Sequence, residues 1–236
     1  MTATETPLSL AGQTHAAPGP HDMTGMYLAH HAFRRDLRRF AAAARNTPVE
    51  DAAAWQALAR RWTAFSTVLH HHHTVEDEAI WPPLLARVAA EGEPGDRETL
   101  EAMEAEHQLI DPQLAACAEG FAAMASAPSP VTKDKLAADV AATRDSLARH
   151  LEHEETEALP LVQRHLTTEE WEHAEKRAGS GVSLKQLAFL VPWMAEELDR
   201  ATIDRVLAKA GAPMRVLLAL SRGRFAKVER VAFRYV

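Results

Sequence analysis

The chain repeats itself. His72-x-x-x-Glu76, with a proline at Pro82, returns 78 positions later as His150-x-x-x-Glu154 with Pro160. Leu69 and Leu147 match at the same offset, while His30 and Met26 match His107 and Met103 at an offset of 77. A chain built this way holds two copies of one unit, each a helical hairpin. One histidine lies on the first helix of each unit and His-x-x-x-Glu on the second. Packed with approximate two-fold symmetry, the hairpins would bring four histidines and two glutamates to one level of a shared core.

Apolar spacing of three and four residues supports the helices. The first is expected from about residue 23 to 45, with Met23, Met26, Phe33, Leu37, Phe40 and Ala44 on one face and His30 in the remaining slot of that stripe. Thr47-Pro48-Val49-Glu50 reads as a capping box opening the second, whose stripe runs through Trp62, Leu69, His72 and Glu76 until Pro82-Pro83 kinks or ends it. The third carries Met103, His107 and Ile110 and includes Pro112; the fourth opens at Ser129-Pro130 and carries Leu147, His150 and Glu154. Short connections between them predict an all-α, antiparallel up-down-up-down four-helix bundle over residues 22–166. Residues 1–21, rich in Thr, Ala, Gly and Pro, are expected to be a disordered tail. Residues 167–236 are expected to be a C-terminal helical extension, opened by a second capping box at Thr167–Glu170 and closed by a basic, solvated tail from Arg222.

Composition narrows the function classes. A net charge of −7 argues against a nucleic-acid partner. No apolar run approaches the roughly 18 residues of a membrane span, and the first residues lack the pattern of a signal peptide. One cysteine, Cys117, cannot form an internal disulfide. A cytoplasmic protein without membrane or nucleic-acid partners is therefore the expectation.

Residues four apart share a helix face, so His72 with Glu76, and His150 with Glu154, point along apolar stripes. Burying carboxylates and imidazoles without partners costs several kcal/mol per charge. Two divalent cations would remove that cost, and mixed imidazole and carboxylate ligands suit iron, zinc or manganese. The candidate ligands are His30, His72, Glu76, His107, His150 and Glu154, with the two glutamates placed to bridge. His72 belongs to a run, His70 to His73, of which helical geometry lets only one or two face the core. His72 is read as the ligand and His70, His71 and His73 as supporting or surface residues. His31 and His153 are secondary candidates; His15, His21, His165 and His173 are read as surface residues.

These positions resemble the pattern of the hemerythrin-like, or HHE cation-binding, family over roughly residues 22–165. His30 would be the first-helix histidine, His72, Glu76 and Pro82 the second-helix motif, His107 the third-helix histidine, and His150 and Glu154 the fourth-helix motif. The resemblance implies two iron ions without haem in an antiparallel four-helix bundle, and no other cofactor. It also shows a departure. Oxygen-carrying members have two histidines four apart on the third helix, where this chain has Met103 and Asp111 around His107. The missing histidine argues against reversible oxygen carriage and leaves a more open iron. Asp111, Tyr27 and Glu104 are considered as further groups at the site. The extension resembles those of actinobacterial members, which implies no activity.

The expected function is metal-centred reaction with dioxygen or peroxide, catalase-like or oxidase in kind. The alternative is a non-enzymatic sensor or reservoir for oxygen, nitric oxide or iron. A ferritin-like oxidase site, built on Glu-x-x-His, would use Glu104 and His107 but finds no counterpart at His30. A bundle without metal is the plain alternative. The extension is expected to pack on the bundle; it could instead cap the mouth of the site or form a homodimer contact.

Overall fold

Prolines decide how two of the long helices are built. Pro82 has no N–H for the carbonyl four residues back, and its ring crowds that carbonyl. The chain answers with a wider turn. Helix α2 (Ala52–Val75) passes into a five-residue π-helical segment, Glu76–Ile80, where Trp81 N–H bonds the Glu76 carbonyl five residues back. Helix α3 (Trp81–Glu91) then continues with its prolines in the first turn. The same device stands before Pro160: α5 (Pro130–His153), a π segment Glu154–Ala158, and α6 (Leu159–His165). Pro82-Pro83 was expected to kink or end its helix; α2 does end before it, and the widened turn carries the chain on into α3. Such turns are frequent at functional sites, and each of these begins on a glutamate of the repeat.

The computed structural model describes residues 8–236. With α1 (Thr24–Asn46) and α4 (Asp96–Ser126), these helices form the antiparallel four-helix bundle, and no strand occurs among the described residues. Helix α1 packs on α5, α5 on α4 and α4 on α2, while the seam between α1 and α2 is the loosest. Side-chain oxygens cap several starts: Asp51 caps α2 and Ser129 caps α5. The capping box expected at Thr47–Glu50 does not form, because α2 starts after Asp51 and the Thr47 hydroxyl has no partner.

Two apolar clusters fill the bundle. One holds Phe33, Phe40, Trp62, Phe65, Phe121 and Leu147. The other holds Met23, Tyr27, Trp81, Leu84, Met103 and Val162. Every bundle helix crosses from one to the other at its histidine: Tyr27 to Phe33 across His30, Met103 to Ile110 across His107. The histidines therefore form a polar layer between two dry ones.

Residues 1–7 of the segment expected to be disordered lie outside the described residues; the rest packs on the bundle. Leu8, Ala17 and His21 are buried. Gln163 clamps the strap, accepting from His21 N–H at 2.9 Å and donating to the His21 carbonyl at 3.0 Å. A Cβ at Gly19 would fall 2.2 Å from the Gln163 Oε1.

The extension folds as α7 (Thr168–Gly179), α8 (Leu184–Ala195), α9 (Arg200–Ala210) and α10 (Ala212–Ala232). Helix α7 starts with the expected capping box of Thr167 and Glu170. The basic tail is not a solvated end. It forms the second half of α10, whose Ser221, Phe225, Glu229, Ala232 and Phe233 are buried while Arg222, Arg224, Lys227 and Arg230 face out. Buried charges fasten it. Arg61 donates to Glu229 at 2.6 Å and to Asp36, Arg39 reaches Glu229 at 3.0 Å, and the Trp193 indole N–H donates to Asp36 at 2.8 Å.

Candidate metal centre

Each bundle helix delivers a histidine or glutamate to the polar layer. One group of ligand atoms comes from His30, His72, Glu76 and Glu154, and a second from His73, His107 and His150; within each group the atoms lie within 4.8 Å of one another. The carboxylates stand between them. His72 Nε2 is 2.9 Å from Glu76 Oε1, and His107 Nε2 is 3.5 Å from Glu76 Oε2. Glu154 Oε2 lies 3.2 Å from His30 Nε2 and 3.8 Å from His150 Nε2. All six residues expected from the repeat are thus brought to one place.

The outward ring nitrogens are anchored. His30 Nδ1–H donates to Glu155 at 2.9 Å, His107 Nδ1–H to Asp77 at 2.8 Å and His150 Nδ1–H to Glu106 at 2.8 Å. A carboxylate on Nδ1 fixes the tautomer and leaves the Nε2 lone pair facing inward, as ligating histidines require. Glu155 is itself held by Arg34 at 2.6 Å and by Thr14 N–H at 2.7 Å. These anchors escaped the sequence reading, although the repeat contains two of them. Asp77 and Glu155 match at the 78-residue offset, and each serves a histidine of the other hairpin. Glu106 also holds His153, at 2.8 Å.

The inward atoms are orphaned. His30 Nε2, His72 Nε2, both nitrogens of His73 and all four carboxylate oxygens of Glu76 and Glu154 are buried without a hydrogen-bond partner. Buried polar groups rarely stay that way. His107 and His150 confront each other through their Nε2 atoms at 3.2 Å. Glu76, Glu154 and Glu155 are almost wholly buried, with Arg34 the only arginine or lysine paired to them among the described residues. Burial and the neighbouring Glu154 charge push the Glu76 carboxyl up to about 8. Burial also works to raise Glu154, yet the facing His30 and His150 outweigh it and hold Glu154 well below the usual range. His30 is correspondingly raised to about 9: burial opposes its charge, but Glu154 and Glu155 prevail. Burial pushes His72 and His73 down to about 3. Such a set of imidazoles around crowded carboxylates fits cations.

A search of curated proteins and of solved structures found no match to the chain. A family model, that of the hemerythrin HHE cation binding domain, matches residues 22–162. The chain belongs to the hemerythrin family. As a member of a cation-binding family, its buried His and Glu groups are candidates to hold metal.

This hemerythrin-family site departs from the expectation at His73. Read as a supporting or surface residue, it is buried, with its ring stacked on His107 at 3.9 Å between centroids. Adjacent residues on a helix diverge by about 100°, so His72 serves the group towards α1 and His73 the group towards α4. The repeat concealed this, because the position 78 residues after His73 is Leu151. With His73, five histidines surround the two glutamates. His71 binds the Ala178 carbonyl at 3.0 Å and so ties α7 down, while His70 is exposed.

Other expectations also sort themselves. His31 points away and donates to the Ala11 carbonyl at 3.2 Å. His21 is buried rather than exposed, stacked on Trp171 and bonded to the Leu166 carbonyl at 3.0 Å. Asp111 is exposed and lies 4.0 Å from His73. The Tyr27 hydroxyl accepts from Ala17 N–H at 2.8 Å, and Glu104 is exposed. No helix among the described residues is long and apolar enough to cross a membrane.

Proposed function

We propose that this protein holds two iron ions without haem and reacts with dioxygen or hydrogen peroxide, in catalase-like or oxidase chemistry. The observation that carries this reading is the set of orphaned Nε2 and carboxylate atoms enclosed by histidines whose other nitrogens are already committed. His30 and His72 would hold one ion, His73, His107 and His150 the other, with Glu76 and Glu154 shared between them. Bound iron supplies redox electrons and Lewis acidity towards an oxygen species. The protein's own contribution is orientation and exclusion. Glu155, Asp77 and Glu106 fix the rings and raise their basicity. The apolar layers on either side keep bulk water from the site, which limits side reactions. His72 is the least buried of the seven, and its side is the natural entry for a small oxidant. We place the protein in the cytosol: its one cysteine, Cys117, can form no internal disulfide and is buried against Thr143.

One observation favours a second reading, a sensor of oxygen, nitric oxide or iron. Thr14 of the N-terminal strap donates to Glu155, the carboxylate that anchors His30. A change at the site would reach the surface through that strap.

Peroxide decay by iron-loaded protein, compared with His72→Ala, separates these readings. Faster decay by the parent chain is expected. Equal decay by both removes the enzymatic reading. An optical change with ligand and no turnover then leaves the sensor.

A further inference from the structure

The loose seam between α1 and α2 is bridged, not filled, by the extension. Beneath α7 and α8 lies a cavity of about 1050 Å³, at the upper end of what small-molecule sites enclose, roughly 300–1,000 Å³. It follows α2 and the π segment after it from Arg60 to Ile80, a length of roughly 30 Å at 1.5 Å per residue. Its walls are mostly carbon: Met26 and Phe33 of α1, Val68 of α2, and Phe189, Leu190 and Met194 of α8. His72 and Glu76 lie on its floor, so one cavity touches both the extension and the metal centre.

Neither the volume nor the lining suits dioxygen or peroxide alone, since both are tiny and peroxide is polar. The ends differ in charge. Asp22, which pairs with Lys209 at 3.1 Å, and Glu175 stand where α1 begins, near the Ile80 end, close enough for Asp22 to raise the Glu175 carboxyl beyond what burial does, so Glu175 carries most of the negative charge there. Arg60 stands at the far end of the α2 wall, and Lys185 of α8 is the second cation of the lining. Neither pairs with a carboxylate among the described residues. An elongated apolar molecule with one anionic end would be oriented by this polarity, its anion towards Arg60 and away from the acids.

We propose that the cavity binds a long-chain carboxylate of the fatty-acid type, with its carboxylate at Arg60 and its hydrocarbon chain laid along α2. His72 is 12 residues further along, roughly 18 Å at the helical rise, so the distal part of the chain crosses His72 and Glu76. The binding stands apart from the metal reading of the site; only the significance of where the distal chain lies rests on it.

The test titrates 11-(dansylamino)undecanoic acid into the full-length chain, as purified and after chelation, and follows dansyl emission. One saturable site per chain is expected in both. Arg60→Glu, an exposed position, and Ala64→Trp, which fills the α2 wall, should each weaken binding by about tenfold or more, and Arg60→Lys should restore it. The neutral amide of the probe should bind about tenfold more weakly. Thermal melts establish that each variant folds. No saturable binding, equal binding of acid and amide, or parent affinity in folded Ala64→Trp would each overturn the proposal. Probe binding without peroxide chemistry removes only the enzymatic reading of the metal centre; peroxide chemistry without probe binding removes only this proposal.

Discussion

Helix α1 enters two clusters of buried charge, less than two turns apart. His30 faces the metal centre, and Asp36 faces the network that fastens the extension. Asp36 and Glu229 have all four carboxylate oxygens engaged: Arg35 and Arg61 with Trp193 on Asp36, Arg61 and Arg39 on Glu229. Glu76 and Glu154 have none of their four oxygens hydrogen-bonded. Both pairs of carboxylates are buried, one where the extension meets the bundle and the other inside it. The first closes its charges with arginine; the second surrounds them with inward-facing imidazoles that make no hydrogen bond to them. A cluster that closes itself is a joint. One left open in this way is a receptacle for cations.

The comparison can be broken by removing one carboxylate from each cluster. Asp36→Ala leaves Arg35 and Arg61 buried without their shared partner, and breaking a buried pair costs about 3–5 kcal/mol. Denaturant unfolding should show that loss, together with earlier release of the extension; a loss near zero would mean that the joint is idle. Removing an anchor should act on metal instead of on the fold. Asp77→Asn and Glu155→Gln are expected to lower metal affinity by about 10–100-fold, measured by competition with a chelator of known affinity. Unchanged affinity in both would detach these carboxylates from the site. The smallest effect is expected for Glu76→Gln in metal-free protein. Its carboxyl is pushed up to about 8 and so is largely protonated near pH 7; an isosteric amide should change stability by less than about 1 kcal/mol. Metal loading should nevertheless fall sharply, because the amide cannot bridge as a carboxylate does.

Acid sharpens the same contrast. Burial works to raise the Asp36 carboxyl, but Arg61 and Arg35 overcome it and hold it below its usual 3.8. A depressed carboxylate contributes stability above its unfolded pKa and loses it as pH falls through the folded value. The gap in stability between the parent chain and Asp36→Asn should therefore be full at neutral pH and shrink below about pH 4. Glu229 is raised by burial despite Arg61, so it opposes part of this trend. A gap independent of pH would show that Asp36 acts by shape and not by charge.

Much of this was legible in the chain itself. Helical spacing gave the bundle and its antiparallel order. The repeat gave His30, His72, Glu76, His107, His150 and Glu154 as one level of the core, and it contained Asp77 and Glu155 for a reader who looked one residue past each glutamate. The Thr167 cap and the Ser129 cap were equally local, since a cap is a contact over three residues.

What the repeat could not show is where symmetry fails. His73 has Leu151 for its counterpart, and only the packing of α4 against α2 makes its ring a member of the site. Glu106 has no counterpart that could bond, and Glu229 lies 168 residues from the Arg61 it holds. The basic stretch after Arg222 looked like a solvated end because its buried face shows only against Trp193, Arg61 and Phe40. Sequence periodicity reports which face a helix turns inward; it does not report what waits there. The four helices, the level of the polar layer and its ligand chemistry followed from local spacing and offset. The fifth histidine, the anchored ring nitrogens, the joint at Asp36 and the cavity over His72 were decided by contacts between distant segments, which no local pattern encodes.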